Sequence, residues 1–455
     1  MPKLCLCMNR YLYNFGFDKR KNLNKKQKIE GWFLQRNYLH FDSPLSFKNA
    51  NLLVKEPKKV SQHAFFPLLT FDITTIKYKK NPKTRKKEKT DNKIRSICYS
   101  SHRDGYIYSY YAKILSELYE NKLEELKINE SVLAFRKLGG KSNIDFAKQA
   151  FYDIINKGNC TAIALDFTKF FDNLDHDILK IEWSKLLTQE KLPKDHYNIY
   201  KSLTEYSLVN KDEVYKLFNI SKNNVKTRPY KICSIKEFRE KVRKNSSLIK
   251  TNPTISENKG IPQGSSLSAL LSNIYMLSFD KKIYDYINIL NGKYYRYCDD
   301  ILIIIDTDKA DEVENYVMTI IKELKVEINP SKTLKSNFKY SKSTLISDKD
   351  LQYLGFMFNG KKIYLRSASI SRYHQKLKKS ISLSKKTMIK YNKIRKGKGK
   401  EEEPLFKRKL YEKYSHLGKS NFIRYGLRAK DIMDSPEIKK QIKKLGQKLE
   451  NELKL

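Results

Sequence analysis

The chain has 455 residues, of which 40% are hydrophobic and 12% aromatic, too apolar a composition for a disordered chain. Its mean hydropathy of −0.65, with no long apolar run, argues against a membrane span. The 92 Lys and Arg against 50 Asp and Glu leave a net charge of +42 spread along the whole chain, the footprint of a protein that holds a polyanion, with nucleic acid the leading partner.

Length suggests about three domains. An AT-rich coding sequence would enrich lysine without holding the acids so low. No basic amphipathic helix with a wide apolar face and no lipidation motif speaks for a membrane surface. The six cysteines (Cys5, Cys7, Cys98, Cys160, Cys233, Cys298) form no CxxC pairs and no Cys/His clusters at zinc spacing. A structural metal is therefore not expected, and a reducing cytoplasm fits. Met1 to Arg10 reads as neither signal peptide nor anchor.

In chain order, residues 1–92 are aromatic and basic, and Tyr78 to Arg95 lacks periodicity, so it reads as a cationic loop. Ile107, Tyr111, Ile114 and Leu118 predict a helix from His102 to about Leu126. Asn143 is expected to cap a second helix carrying Ile144, Ala147, Phe151 and Ile154, which Gly158 ends. Thr161 to Leu165 is an apolar run of strand length, followed by Asp166 and a helix-like stretch through Leu187. Residues 188–250 are polar and give no clear pattern. The loop Gly260 to Gly264 leads into a helix with Leu267, Leu270, Leu271 and Ile274 on one stripe. Tyr294 to Tyr297 and Ile301 to Ile305 predict a hairpin with Cys298, Asp299 and Asp300 at its tip. Asp308 to Lys325 is amphipathic, and beyond Phe358 the chain is basic and helical, broken at Arg395 to Glu403.

Adjacent acids between apolar strands repel one another and resist ionising unless a cation sits between them. Asp166 stands at the end of another apolar strand, and a sheet brings such ends together. Three carboxylates so placed suit Mg²⁺, which prefers oxygen ligands, and two such ions clamp both oxygens of an in-line phosphoryl displacement. On spacing alone an Asp-Asp pair is a weak signal.

The ordered set around it is specific. Asp166-Phe-Thr-Lys-Phe-Phe171-Asp172 resembles motif A of reverse transcriptases. Gly260-Ile-Pro-Gln263-Gly264 through Ser268-Ala269 to Asn273 resembles motif B, and Tyr297-Cys298-Asp299-Asp300 resembles the YxDD box. Glu327 to Thr333 is similar to motif D and Leu351 to Phe356 to motif E. Upstream, Lys93, Arg95, Phe135-Arg136-Lys137 and Lys141 to Ala147 are similar to the family's fingers. Tyr38 to Asp42, Tyr414 to Gly418 and Asn421 to Ala429 resemble bacterial defence-associated enzymes, related to those of abortive infection and of group II introns. The Val-Thr-Gly and Asn-Ala-x-x-His signatures of retron enzymes are missing.

The resemblance implies an α+β right-hand polymerase with fingers, a palm built on an antiparallel sheet, and a helical thumb. Residues 1–92 would be a basic extension and the start of the fingers, 93–160 the fingers, 161–358 the palm with a fingers-like insertion at about 188–258, and 359–455 the thumb. It implies an RNA-directed DNA polymerase of the bacterial cytoplasm that acts in antiviral defence. Its partners would be a non-coding RNA template, dNTPs and a DNA product, without a membrane. Asp166, Asp299 and Asp300, with the Phe167 carbonyl, would hold two Mg²⁺ ions, with Mn²⁺ able to substitute. Lys93, Arg95, Phe171, Gln263 and Lys332 would meet the nucleotide, Phe171 as the steric gate against a ribose 2′-OH. Gly264, Tyr297 and Gly355 would face template and primer. An RNA-dependent RNA polymerase shares the palm but would be expected to show a Gly-Asp-Asp box and a polar residue where Phe171 stands, so the sequence disfavours it; a template-independent protein-primed DNA polymerase and an inactive RNA-binding scaffold remain as alternatives here.

Overall fold

The computed structural model describes residues 30–80, 87–224 and 229–454; Met1 to Arg10, with Cys5 and Cys7, lies outside them. Helices α1 (Phe47–Val54) and α2 (Pro57–Ser61) precede two long strands, β1 (Leu68–Lys80) and β2 (Lys87–Tyr99), paired antiparallel. The loop expected over Tyr78 to Arg95 is thus largely the outer part of a hairpin. Its strands escape a reading from periodicity because the backbone ladder holds them and the face that carries Ile76 and Ile94 is open to solvent: Ile76 is 50% and Ile94 58% exposed. Position 92, the expected domain boundary, falls inside β2.

Helix α3 (His102–Glu125) is capped by the Ser101 hydroxyl and buries Ile107, Tyr108, Tyr111, Leu115, Tyr119 and Leu123. The buried stripe is turned slightly from the expected one, leaving Leu118 at its exposed margin. Helix α4 (Asn143–Lys157) is capped by Ser142 in a capping box with Asp145. The expected cap, Asn143, instead spends its amide on the Leu354 carbonyl and the Tyr425 hydroxyl. Gly158 ends the helix at φ 75°, as expected.

Strand β3 (Cys160–Asp166) leads into a 3₁₀ turn, Phe170–Asn173, so the helix expected directly after Asp166 begins later, as α5 (His176–Leu186) capped by Asp175. The patternless stretch after it holds α6 (Lys194–Thr204), β4 (Ser207–Asn210), α7 (Lys211–Leu217), a helical stretch over 235–243 and β5 (Ile249–Thr251). Then come α8 (Ser268–Tyr275), α9 (Leu277–Ile289), β6 (Lys293–Tyr297), β7 (Asp300–Ile305), α10 (Ala310–Glu323), β8 (Leu334–Ser341) and β9 (Thr344–Ser347). Three short strands follow: β10 (Leu351–Tyr353), β11 (Phe356–Phe358) and β12 (Ile363–Leu365). The chain ends in α11 (Ser367–Lys396), α12 (Arg408–Tyr414), α13 (Phe422–Met433) and α14 (Pro436–Lys454). Helix beyond Phe358 therefore begins only after β12.

The central sheet has the order β6-β7-β3-β8-β9, every neighbouring pair antiparallel. Successive side chains point to opposite faces. Ile163, Leu165, Ile301, Ile303 and Ile305 join one core with α3, α5, α8, α9 and α10. Ala162, Leu302 and Ile304 join a second with α4, β10 to β12 and α11 to α14. Cover on both faces explains why β3 and β7 read as unbroken apolar runs. A second sheet, β2-β1-β4-β5, carries the hairpin.

Candidate active site

Strand β3 ends where β7 begins, and the register pairs Asp166 directly with Asp300. Directly opposed residues in such a ladder have Cα atoms about 4.5–5.5 Å apart. Asp299 sits in the turn between β6 and β7, and its carbonyl accepts from the Phe167 N–H at 3.3 Å. Two strands and one turn thus gather the three acids predicted from the sequence. The Asp166 carbonyl accepts from Asn329 N–H at 2.8 Å and Thr168 N–H donates to the Glu327 carbonyl at 2.8 Å. These bonds flank the Phe167–Ile328 bridge, so the ladder does not consume the Phe167 carbonyl. They also fix the turn Pro330–Lys332, whose Lys332 ammonium forms an ion pair with the Asp166 carboxylate.

Burial raises the carboxyl of Asp299, and Asp166 adds to the effect. Asp300 is pushed up to about 7 by burial, reinforced by Asp299 and Asp166 and opposed by Lys332. Burial and mutual repulsion hold these two acids back from ionising, and an oxygen-only donor set in that condition suits a hard divalent cation. Among the described residues no three His, Cys, Asp or Glu side chains are gathered tightly enough to hold a metal as they stand. Asp166 is engaged with Lys332 instead. Burial raises the Cys298 thiol well above its ordinary value, so it is a packed residue and no nucleophile.

The neighbouring pocket is organised by backbone hydrogen bonds. Ile261 N–H donates to the Phe171 carbonyl at 2.9 Å, and Gly260 N–H to the Leu174 carbonyl at 2.9 Å. On the far side, Cys98 N–H donates to the Gln263 carbonyl at 2.8 Å. The loop 260–264 therefore bridges the turn after β3 and the base of the hairpin. Gly264 has φ 120°, and a Cβ there would fall on the Cys98 carbonyl oxygen and lie 3.3 Å from Ile97 Cγ2. The space denied to a side chain is thus filled by β2, where the sequence had suggested template. Arg95 lies two residues before Ile97 and shares its face of the strand, the face toward this loop.

Residues 85–358 match the family described as reverse transcriptase (RNA-dependent DNA polymerase), more than half of the chain. The chain belongs to that family. It has a reverse transcriptase fold. Among solved structures, apo telomerase from Candida tropicalis truncated from its C-terminal domain is similar at 12% identity and a TM-score of 0.40, over 70% of this chain and 60% of that one. Telomerase from Candida albicans in complex with a TWJ fragment of telomeric RNA is similar at 13% identity and a TM-score of 0.39, over 87% of this chain and 66% of that one. The chain spans 60% of the length of the first of these. No curated protein matches in sequence.

Within this reverse transcriptase fold the other expected residues divide. Phe171 is 4% exposed, its ring edge-on to Phe170 at 5.8 Å, and it belongs to the core that continues under the sheet. Tyr297 pairs with Asp300 across the turn and lies 6.2 Å from the Phe146 ring. Gly355, at φ 95°, turns β10 into β11, and its carbonyl accepts from Arg366 N–H at 3.2 Å. The Lys93 side chain lies outside the described residues, though its backbone pairs with Thr75. Sequence reading missed Arg366, whose guanidinium loses basicity through burial and regains part of it from Asp300 and Asp166. It also missed Arg296, three residues before the first turn acid. A cation beside a run of tyrosines was the only signal for the latter.

Proposed function

We propose that this reverse transcriptase copies an associated non-coding RNA into DNA by two-metal-ion nucleotidyl transfer, in antiviral defence within a bacterial cytoplasm. The observation that carries the chemistry is the register that sets Asp166 against Asp300 beside Asp299, three carboxylates gathered at one end of the sheet. Mg²⁺ held by these acids and the Phe167 carbonyl would supply charge for activating the primer hydroxyl and neutralising the phosphates. The remaining work falls to the chain. Arg95 and Lys332 would take the triphosphate from two sides. The loop 260–264 would seat the base pair between Asp166 and the hairpin, Phe171 would close the space beside the sugar C2′, and Tyr297 and Gly355 would hold the primer end. In the polymerase hand, the hairpin sheet and α3 stand as fingers, the five-stranded sheet as palm and α11 to α14 as thumb. The defence role rests on the resemblance of Tyr38 to Asp42 and of the C-terminal helices.

The test is primer extension on an RNA template with dNTPs and Mg²⁺, comparing wild type with Asp299→Asn/Asp300→Asn. Extension by wild type and its loss in the variant are expected. Extension by the variant within about tenfold of wild type, a barrier change below ~1.4 kcal/mol, overturns the metal-site assignment. DNA made without a template overturns the copying step. Sequencing of RNA that copurifies with the chain tests for a dedicated template, and a mixture mirroring total cellular RNA counts against one.

A further inference from the structure

Arg296 lies on β6 and is fully buried, with no exposed side-chain surface. Its Nε donates to Asp280 Oδ1 at 2.7 Å and its Nη2 to Asp280 Oδ2 at 2.5 Å, a bidentate pair reaching into α9. Its Nη1 donates to Asn273 Oδ1 at 3.1 Å, on the helix that follows the 260–264 loop, and to the Cys298 carbonyl at 3.2 Å. Its own backbone is clamped as well: N–H donates to the Ser131 carbonyl at 2.8 Å, and its carbonyl accepts from Leu133 N–H at 2.9 Å. Tyr294 completes the set by donating to Asp280 Oδ1 at 2.6 Å.

A second observation concerns the turn itself. Cys298 has φ 61°, whereas Asp299 is not among the residues of positive φ. That is the φ pattern of a two-residue hairpin of type II′, in which the first turn position calls for glycine. A residue with a Cβ is disfavoured there. The turn that presents Asp299 therefore holds a conformation its own sequence resists, and a side chain reaching its carbonyl from beneath counters that resistance. The guanidinium is rigid and planar, so fixing it on Asp280 also fixes the direction of Nη1.

We propose that Arg296 is a positioning residue for the metal-binding acids: it pins the Cys298 carbonyl to Asp280 and Asn273 and so sets Asp299 and Asp300 against Asp166. It acts through the turn and touches neither substrate nor metal. The inference rests on the metal-site reading above. It assigns to a buried ion pair a role other than stability, which buried pairs supply poorly once their desolvation is counted.

The experiment measures Mn²⁺ binding by electron paramagnetic resonance on the full chain without nucleotide, together with kcat and KM for dNTP. Arg296→Lys keeps a charge for Asp280 and loses the fork that reaches Cys298. Arg296→Met/Asp280→Leu removes both buried charges together, and near-wild-type thermal stability is expected for it. Both variants are expected to bind Mn²⁺ at least tenfold more weakly and to lose kcat at least tenfold, with KM for dNTP within threefold. Adding Cys298→Gly to Arg296→Lys is expected to restore part of both, because glycine adopts the turn unaided. Wild-type Mn²⁺ affinity in a folded Arg296 variant overturns the proposal, as does a failure of Cys298→Gly to restore any of the loss. If Arg296→Met/Asp280→Leu does not fold, Arg296→Lys with and without Cys298→Gly decides. If Asp299→Asn/Asp300→Asn binds Mn²⁺ like wild type, the metal-site reading has failed, a result distinct from loss of binding in that control with retention in the Arg296 variants.

Discussion

On the proposed function, two demands would meet in the ring of Phe171. The side chain is buried edge-on against Phe170, so truncation leaves a cavity, and Phe171→Val should cost about 2–4 kcal/mol of stability on that ground alone. A ring that also borders the sugar site would change sugar choice as well. Wild type is expected to favour dNTPs over NTPs, and Phe171→Val to lower that ratio of kcat/KM at least tenfold. A variant that melts earlier with unchanged sugar selectivity would make Phe171 a core residue and no gate. The acids make the opposite trade. Asp299 and Asp300 resist ionising through burial and mutual repulsion, so Asp299→Asn/Asp300→Asn should melt no lower than wild type without divalent cations, while Mg²⁺ should raise the melting temperature of wild type alone. A wild type indifferent to Mg²⁺ would sink that expectation.

The contact between β2 and the 260–264 loop joins two sheets through one backbone hydrogen bond and one glycine. Gly264→Ala places a methyl group on the Cys98 carbonyl at a φ that L side chains rarely adopt, so the loop must part from the hairpin. Hydrogen exchange at the Cys98 amide should rise and incorporation fall at least tenfold; unchanged exchange would show that the joint gives elsewhere. Further upstream, the segment Tyr38 to Asp42 docks on the start of α3, where Asp42 accepts from His102 N–H at 2.9 Å and Arg103 N–H at 2.8 Å. His40 beside it is fully buried, and burial, aided by His102, lowers it from 6.5 to about 3. A depressed histidine binds protons in the unfolded chain first, so its stability contribution is complete above pH 6.5 and is lost as pH falls toward 3. His40→Leu should flatten the melting curve against pH across that window, and an unaltered slope would place the acid sensitivity in other groups. The elements most legible in the sequence were those with a core to write their pattern: β3, β7, α3 and α8 follow their apolar residues closely. The hairpin was not legible because its apolar residues Ile76 and Ile94 lie on a face open to solvent, and Ser142 was missed as a cap because Asn143 beside it is an equally good capping type. The three acids were legible as a set because their order along the chain is specific. Their partners Arg296 and Arg366 come from positions where sequence shows only one cation among many.

Across the whole molecule the charge of +42 must be reconciled with a site built from acids. On the proposed function, positive surface would draw in a polyanion and the acids would require a cation before facing its phosphates, so binding and chemistry should respond differently to ions. Helix α11 spans 30 residues, roughly 45 Å, and buries only Tyr373, Leu377, Ile381 and Asn392. Its remaining surface is rich in lysine and carries the exposed Leu383, Ile389 and Tyr391. Lysines that meet phosphates release counterions, and about six or more such contacts weaken binding by orders of magnitude between 50 and 200 mM salt. RNA affinity measured by fluorescence anisotropy should therefore fall steeply over that range, and equally for wild type and Asp299→Asn/Asp300→Asn, because the surface and not the acids supplies the attraction. Mg²⁺ titrated at constant ionic strength should leave the affinity nearly unchanged while switching incorporation on. A shallow salt response would mean that most of the charge is solvated and that coding bias explains it. A salt response confined to the acid-intact chain would mean that metal-bridged contacts at Asp166, Asp299 and Asp300, and not the basic surface, hold the nucleic acid.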